Sequence, residues 1–384
     1  MPHRPSLTAS DRAPLELRWH APASLSDADW ARLDAVAAQA SDANPFARAA
    51  LLRSALDAGL GDADPVIAEV VAADGAGVAL FALAALPRHG RAPIRTVTSW
   101  RHPNGLIPPI AIRAGEEDAA WAALIAALPR RFAAAQLCVP DLPSDSATAR
   151  GLEAAAAAHR LPLRRHDAHA RAMISSTLDP AAYWDGAVRG KKRKELRRQW
   201  SRLGELGALA VDLSVERDGP GWIDRFLALE ASGWKGAAGS ALASAHATRT
   251  FCTAAFTAAH DAGRVAVTAI TLDRRDVAML VSLIERNEAF TFKTAYDEAY
   301  ARFSPGVLIQ RESLPRLLGY ARTDSLAVAD HPMIDSLWSE RRAIASYALP
   351  LPGIAPRLQF HAAHAATRAW HAAKAWRQSE SAHP

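Results

Sequence analysis

One pattern, used twice, limits how this chain can fold. A helix-like stretch at 248–261 runs to Gly263, and a strand-like run follows at 264–272. The polar turn Asp273-Arg274-Arg275-Asp276 leads to a second such run at 277–284, and a turn at 285–288 leads to a third at 289–296. Strand-length apolar runs joined by short polar turns predict an antiparallel meander. The first half repeats the grammar: a helix-like stretch at 45–58, then Gly59, then strand-like runs at 66–72, 78–86 and 94–100. The pairs Ala58-Gly59 and Ala262-Gly263 lie 204 residues apart. The expectation is two tandem α+β domains, 1–165 and 166–350, each a central, mostly antiparallel mixed sheet flanked by helices, with a tail at 351–384.

Length agrees, since 384 residues suit two domains. Cys138 and Cys252 stand in different halves with no metal-ligand spacing, which predicts neither a disulfide framework nor a Cys-ligated zinc. Residues 1–15 lack the apolar core of a signal peptide, and no run approaches the ~18 apolar residues of a membrane span. A cytoplasmic protein is the expectation.

The net charge of +5 is concentrated in one place. Between Arg189 and Arg202 eight Lys/Arg stand against one acid, Glu195, which leaves −2 for the other 370 residues. Leu196, Trp200 and Leu203 are spaced as the buried stripe of a helix, and Lys194, Arg198 and Arg202 form a second stripe. Arg193 and Arg197 lie beside the second. Like charges so crowded call for an anionic partner or a solvated face. The 3′-phosphate of coenzyme A, a lipid-linked sugar, tRNA and a peripheral membrane surface are the anions considered. No DNA-binding motif is present.

A second local feature concerns a helix start. Ser304-Pro305-Gly306 follows the third strand, and the first turn beyond it, through Val307, carries no acid. Its free N–H groups suit a phosphate. The matching helix of the first half opens with Glu116-Glu117-Asp118, which would repel one. If one half binds a phosphorylated ligand, the second half is expected to do so.

Three segments carry a resemblance: RKELRRQWSRLGELG (193–207), GWKGAAGSAL (233–242) and FKTAYDEAYARFSPGVLIQRESL (292–314). Over roughly 166–345 they resemble, in order and spacing, the bacterial CelD-like branch of the GNAT superfamily, which is associated with cellulose or exopolysaccharide biosynthesis. That branch is related to the double-GNAT FemABX aminoacyltransferases. The resemblance implies a cytoplasmic acyltransferase with acetyl-CoA or another acyl-CoA as donor, no metal, and a glycan-precursor or small-molecule acceptor. The alternatives are a FemABX-like transferase using aminoacyl-tRNA and a non-catalytic scaffold of an envelope polysaccharide system.

Acyl transfer to an amine needs a base, because a free amine is mostly protonated near neutral pH, and it needs N–H donors for the thioester oxyanion. The oxyanion donors are expected in the strand segment containing Leu280 and Val281. Asp297 is the expected base, with Glu298 its competitor. Strand alternation predicts Lys293, Ala295 and Asp297 on one face, with Phe292, Thr294 and Tyr296 on the other. Lys293 is a candidate to hold an anionic group, and Tyr296 and Tyr300 are candidate hydroxyl donors to the leaving thiolate. Ser304, Gly306 and Val307 are the candidate donor cradle. Trp234, Lys235 and Ser240 lie in a glycine-rich loop expected to meet the acceptor, as are Arg193 and Arg197.

The tail after Pro350 reads as an amphipathic helix over 357–378, with His361, His364, Arg368 and His371 on one face and Leu358 and Trp376 on the other. His331 reads as a loop or capping residue, with a supporting role behind the site as the alternative. His89, His102 and His246 share no metal-like spacing, and no Walker, Rossmann, HExxH or GxSxG motif appears.

Overall fold

The computed structural model describes residues 14–380 apart from 62 and 91, with the backbone alone for Trp234, Ala369 and 371–380. Most of the 1–15 stretch therefore lies outside the described residues. The chain forms two compact units, one of Met1–Arg48, Gly61–Ala168 and Ala345–Pro384, the other of Ala49–Leu60 and His169–Ile344.

In the first unit the strands are β1 (Glu16–His20), β2 (Pro65–Val71), β3 (Gly77–Leu86), β4 (Thr96–Ser99), β5 (Ile110–Ile112) and β6 (Gln136–Pro143). The second contains β8 (Leu209–Asp212), β9 (Val265–Leu272), β10 (Arg275–Glu285), β11 (Glu288–Tyr296) and β12 (Arg322–Asp324). β7 (Arg164–Ile174) runs from the first unit into the second, and β13 (Glu340–Pro350) runs back. Strand order is β1-β2-β3-β4-β6-β13 in the first unit and β7-β12-β11-β10-β9-β8 in the second, with β5 paired to β3. Each unit has an antiparallel meander, then a helix, then a strand parallel to the meander's last member: β6 beside β4, β12 beside β11. The fold is mixed α+β.

Two divisions differ from the expected ones. The helix Ala49–Asp57 belongs to the second unit, where it packs against the helix His246–Asp261. The tail belongs to the first unit, because β13 carries the chain back into it at Ala345. In the tail helix, Ile354–Glu380, Phe360 is buried and Leu358 is exposed, so Phe360 rather than Leu358 anchors it. His364 Nε2 lies 3.2 Å from Gln136 Oε1. Of His371 and Trp376 the side chains lie outside the described residues.

The meander of the second unit is tighter than expected. Leu272 pairs with Arg275, so the first hairpin turns on Asp273-Arg274 alone, both at positive φ (49° and 66°). That is the backbone a two-residue hairpin turn demands, taken here without glycine. Leu280 of β10 packs with Leu308 and Ile309 on one face, joined by Leu196 and Leu203 of the basic helix Gly190–Gly204. The helices Trp222–Ser232 and His246–Asp261 also pack on this meander, through Phe226, Phe256 and Phe292.

Candidate active site

β11 and β12 run side by side for only three residues, Glu288–Phe290 against Arg322–Asp324. β12 stops there, while β11 continues to Tyr296. Thr291 marks the parting: its Oγ1 donates to the Ser325 carbonyl at 3.1 Å. Beyond it β11 has strand β10 on one side and, among the described residues, no strand on the other. At the same place the β10–β11 register slips, with Val281 opposite Lys293 but Ser282 opposite Thr291, so Phe292 is an extra residue on β11. A bulge of this kind bends the strand and re-aims side chains.

Here it turns two consecutive side chains the same way. The Phe292 ring lies 5.9 Å from that of Phe256, and Lys293 Nζ lies 5.5 Å from the Phe292 ring centre. Phe292 has thus joined Lys293, against strict alternation. Thr294 faces the helix Pro305–Glu312, whose Gln310 Nε2 reaches Thr294 Oγ1 at 3.2 Å. The oxyanion expectation also moves. Leu280 and Val281 lie where β10 is paired on both sides, with Thr268 and Val267 of β9 and with Thr294 and Lys293 of β11. Their backbone groups face sheet neighbours, whereas β11 past Phe290 has the open edge.

The helix Pro305–Glu312 starts beside this edge. Ser304 precedes it at φ 54°, ψ 49°, a left-handed conformation uncommon outside glycine. Its carbonyl accepts from the N–H groups of Val307 and Leu308, and Pro305 has none, which leaves the Gly306 N–H at this end. The first turn holds no acid. A Cβ on Gly306 would sit 3.2 Å from Tyr296 Cδ1, a tight approach. The Tyr296 ring thereby rests on the helix start.

The glycine-rich loop is locked to the same strand. Lys235 Nζ donates to Glu230 Oε1 and to the Thr294 carbonyl, both at 3.1 Å. The other Glu230 oxygen accepts from Leu242 N–H at 2.8 Å, so one buried carboxylate ties both ends of the loop. A Cβ on Gly236 would lie 1.8 Å from the Ala231 carbonyl oxygen, which only glycine permits. Ser240 is exposed and its Oγ turns back to the Lys235 carbonyl at 3.3 Å. Lys235 and Ser240 therefore hold the loop in place. The Trp234 side chain lies outside the described residues.

Lys293 is different. It is half-buried, and among the described residues its Nζ has no hydrogen-bond or ion-pair partner. Burial pushes its pKa below the ordinary lysine value; Glu230 pulls it back up and Lys235 adds to the lowering. Cys252, nearby, is driven by burial to about 12 and stays a thiol. Asp297, by contrast, is engaged: its Oδ1 accepts from Ala299 N–H at 2.9 Å and caps the short 3-10 turn Glu298–Phe303. His331 likewise accepts at Nδ1 from Ile334 N–H (3.4 Å), as a capping residue does. Among the described residues no His/Cys/Asp/Glu cluster suits a metal, and no helix is long and apolar enough to cross a membrane.

Arg193 and Arg197 line a cavity that shares no residue with the open strand edge. Arg193 is pinned there by the carbonyls of Asp185 and Val188 and by Asp185 Oδ1 at 3.1 Å. Sequence reading passed over Glu230, although one signal was present. Trp222, Phe226 and Glu230 are spaced as one helical stripe, and an acid in an apolar stripe needs a partner.

Residues 190–330, from the basic helix through β12, match the family model of the acetyltransferase (GNAT) domain. The chain carries a GNAT acyltransferase domain. The open edge of β11, the bulge and the acid-free helix start all fall inside the matched GNAT span. Solved structures share the fold over nearly the whole chain. A conserved protein of unknown function from Bacteroides thetaiotaomicron VPI-5482 is 14% identical, with 88% of this chain and 100% of that one covered at a TM-score of 0.53. FemX is 10% identical, with 86% and 98% covered at 0.52. A search among curated proteins finds no match.

Proposed function

We propose that the second unit transfers an acyl group from acetyl-CoA or another acyl-CoA to an amine or hydroxyl of a polysaccharide precursor, an amino sugar or a related metabolite. The observation that carries this reading is the parting of β11 from β12 at a bulge, beside a lysine with no polar partner among the described residues. The β11 backbone past Phe290 offers N–H donors to the thioester oxygen as charge develops on it. The helix start at Gly306 and Val307 suits the pyrophosphate. Lys293 takes the place of Asp297 as base, because its lowered pKa leaves more of it neutral and able to accept a proton. The new C–N or C–O bond forms as the C–S bond breaks. Lys293 takes the proton lost by the nucleophile. Tyr296, whose ring rests on the helix start at Gly306, gives one to the leaving sulfur, and proton exchange with solvent restores both side chains.

The test uses the full chain with acetyl-CoA and a panel of amino sugars and hydroxyl acceptors, reading thiol release. Turnover that falls at least a hundredfold in Lys293→Met supports the reading. No thiol release with any acceptor, together with no thermal stabilisation by coenzyme A or acetyl-CoA, refutes it.

A further inference from the structure

The cavity at the C-terminal end of the helix Pro305–Glu312 has a composition of its own. Its volume is about 350 Å³. Pro180, Trp184, Leu314 and Pro315 supply apolar wall, and Arg193, Arg197 and Arg311 supply three guanidinium groups. Those arginines come from two helices, and Arg193 and Arg197 are one turn apart on the same face. The volume falls in the range of small-molecule sites.

The charges do not cancel. Asp185 is spent on Arg193, at 3.1 Å. Glu312 stands 3.5 Å from Arg311 through Oε1, and that same oxygen is buried without a hydrogen bond. Burial also holds that carboxyl above the usual glutamate range, against the pull of Arg311. Among the described residues Arg197 has no ion-pair partner. It stands in a run of eight Lys/Arg that repel one another and raise the local positive potential. Planar forks of this kind bind phosphate by paired hydrogen bonds. The apolar wall is too large to serve a bare ion and suits the ring or chain that a phosphate ester carries.

We infer that this cavity binds a phosphate ester, with Arg197 and Arg311 holding the phosphate and Trp184 and the prolines lining the space for its organic part. The inference rests on the acyl-transfer reading for the source of the phosphate, while binding itself is read without turnover. The phosphate has two chemical sources, the 3′-phosphate of the acyl donor or the phosphate of an activated-sugar acceptor.

The experiment is calorimetric titration of the full chain carrying Val307→Glu, which disfavours an anion at the helix start, with inorganic pyrophosphate at low salt, then displacement by organic phosphates. Arg197→Ala and Arg311→Ala are each expected to weaken pyrophosphate binding about tenfold, and the double variant further, while Arg275→Ala on the β9–β10 hairpin leaves it unchanged. Arg197 is exposed, so its variant should fold, and a matching circular dichroism spectrum checks this. Displacement by coenzyme A but not by 3′-dephospho-coenzyme A assigns the donor. Displacement by a nucleoside diphosphate sugar assigns the acceptor. Equal pyrophosphate affinity in all variants overturns the site. Displacement by none of the organic phosphates overturns the ester assignment and leaves an adventitious ion only. Thiol release measured on the same arginine variants without Val307→Glu separates this outcome from failure of the acyl-transfer reading.

Discussion

Glu230 and Lys235 form an ion pair at 3.1 Å, with the Glu230 side chain 1% exposed and that of Lys235 26% exposed. The pair closes the loop at 233–242 over the unpaired end of β11, because the same ammonium holds the Thr294 carbonyl and the same carboxylate holds Leu242 N–H. Removing the carboxylate leaves a buried N–H and a half-buried cation without their partner. Glu230→Ala is expected to cost about 2–3 kcal/mol, the low end for a broken buried pair because Lys235 reaches water. Glu230→Gln, which keeps an acceptor for Leu242, should cost less. Denaturant melts measure the cost, and protease cleavage within 233–242 should quicken in the alanine variant. Unchanged cleavage would show that the loop is held by something else.

Two glycines in the second unit should respond oppositely to the same substitution. At Gly236 a Cβ would meet the Ala231 carbonyl oxygen at 1.8 Å, backbone that can yield only by moving the loop. Gly236→Ala is expected to destabilise by more than about 2 kcal/mol. At Gly186, in the helix Pro180–Ala187, a Cβ meets nothing within 4 Å and φ is not positive. Gly186→Ala should stabilise by roughly 0.5–1 kcal/mol through the loss of unfolded-state freedom. Thermal melts of the two variants side by side settle both signs.

The meander at 265–296 was legible because strand-length apolar runs alternate with short polar turns, a signal that is local. The bulge at Phe292 was not. The run Phe290-Thr291-Phe292-Lys293-Thr294 reads as regular alternation. What breaks it is the end of β12 some thirty residues on, a long-range event no local pattern carries. The helix Ala49–Asp57 was visible for the same reason the strands were, but helical spacing tells which face is buried and not against what. Its place in the second unit was therefore hidden. Asp297 illustrates a third limit: an acid at the end of a strand can be a base or a cap, and the capping contact with the Ala299 N–H at 2.9 Å is visible only in the fold.

Val307 tests the donor cradle more cleanly than Gly306 does, because Gly306 also packs on Tyr296. Val307 is half-exposed and stands in the acid-free first turn. Val307→Glu places a carboxylate where the helix N-terminus favours an anionic ligand, and Val307→Gln is nearly the same shape without the charge. Coenzyme A is expected to bind on the order of tenfold more weakly to the Glu variant than to the Gln variant, a gap that narrows as salt rises. Equal affinities, measured by titration, would move the pyrophosphate away from this helix.

Lys293 should set a conflict between stability and activity. Its pKa is lowered in the folded chain, chiefly by burial, so folding works against its charged form. At a pH above the ordinary lysine value, near 10.4, the side chain is neutral folded and unfolded and no cost arises. As pH falls from there the unfolded chain takes up the proton first. The cost grows until pH drops through the folded pKa, and below that it is full and constant. Lys293→Met removes the charge and keeps much of the shape. It is expected to raise the melting temperature at low pH, with a gain that shrinks toward zero as pH rises to about 10. The same substitution should abolish acyl transfer, the pattern of a site that trades stability for function. In the unmodified chain, turnover should climb with pH through the folded pKa as the amine becomes free to accept a proton, and Lys293→Arg should be inactive throughout. A Met variant that is less stable at low pH would mean that the ammonium is welcomed where it sits, and Lys293 would then be an anion holder and no base.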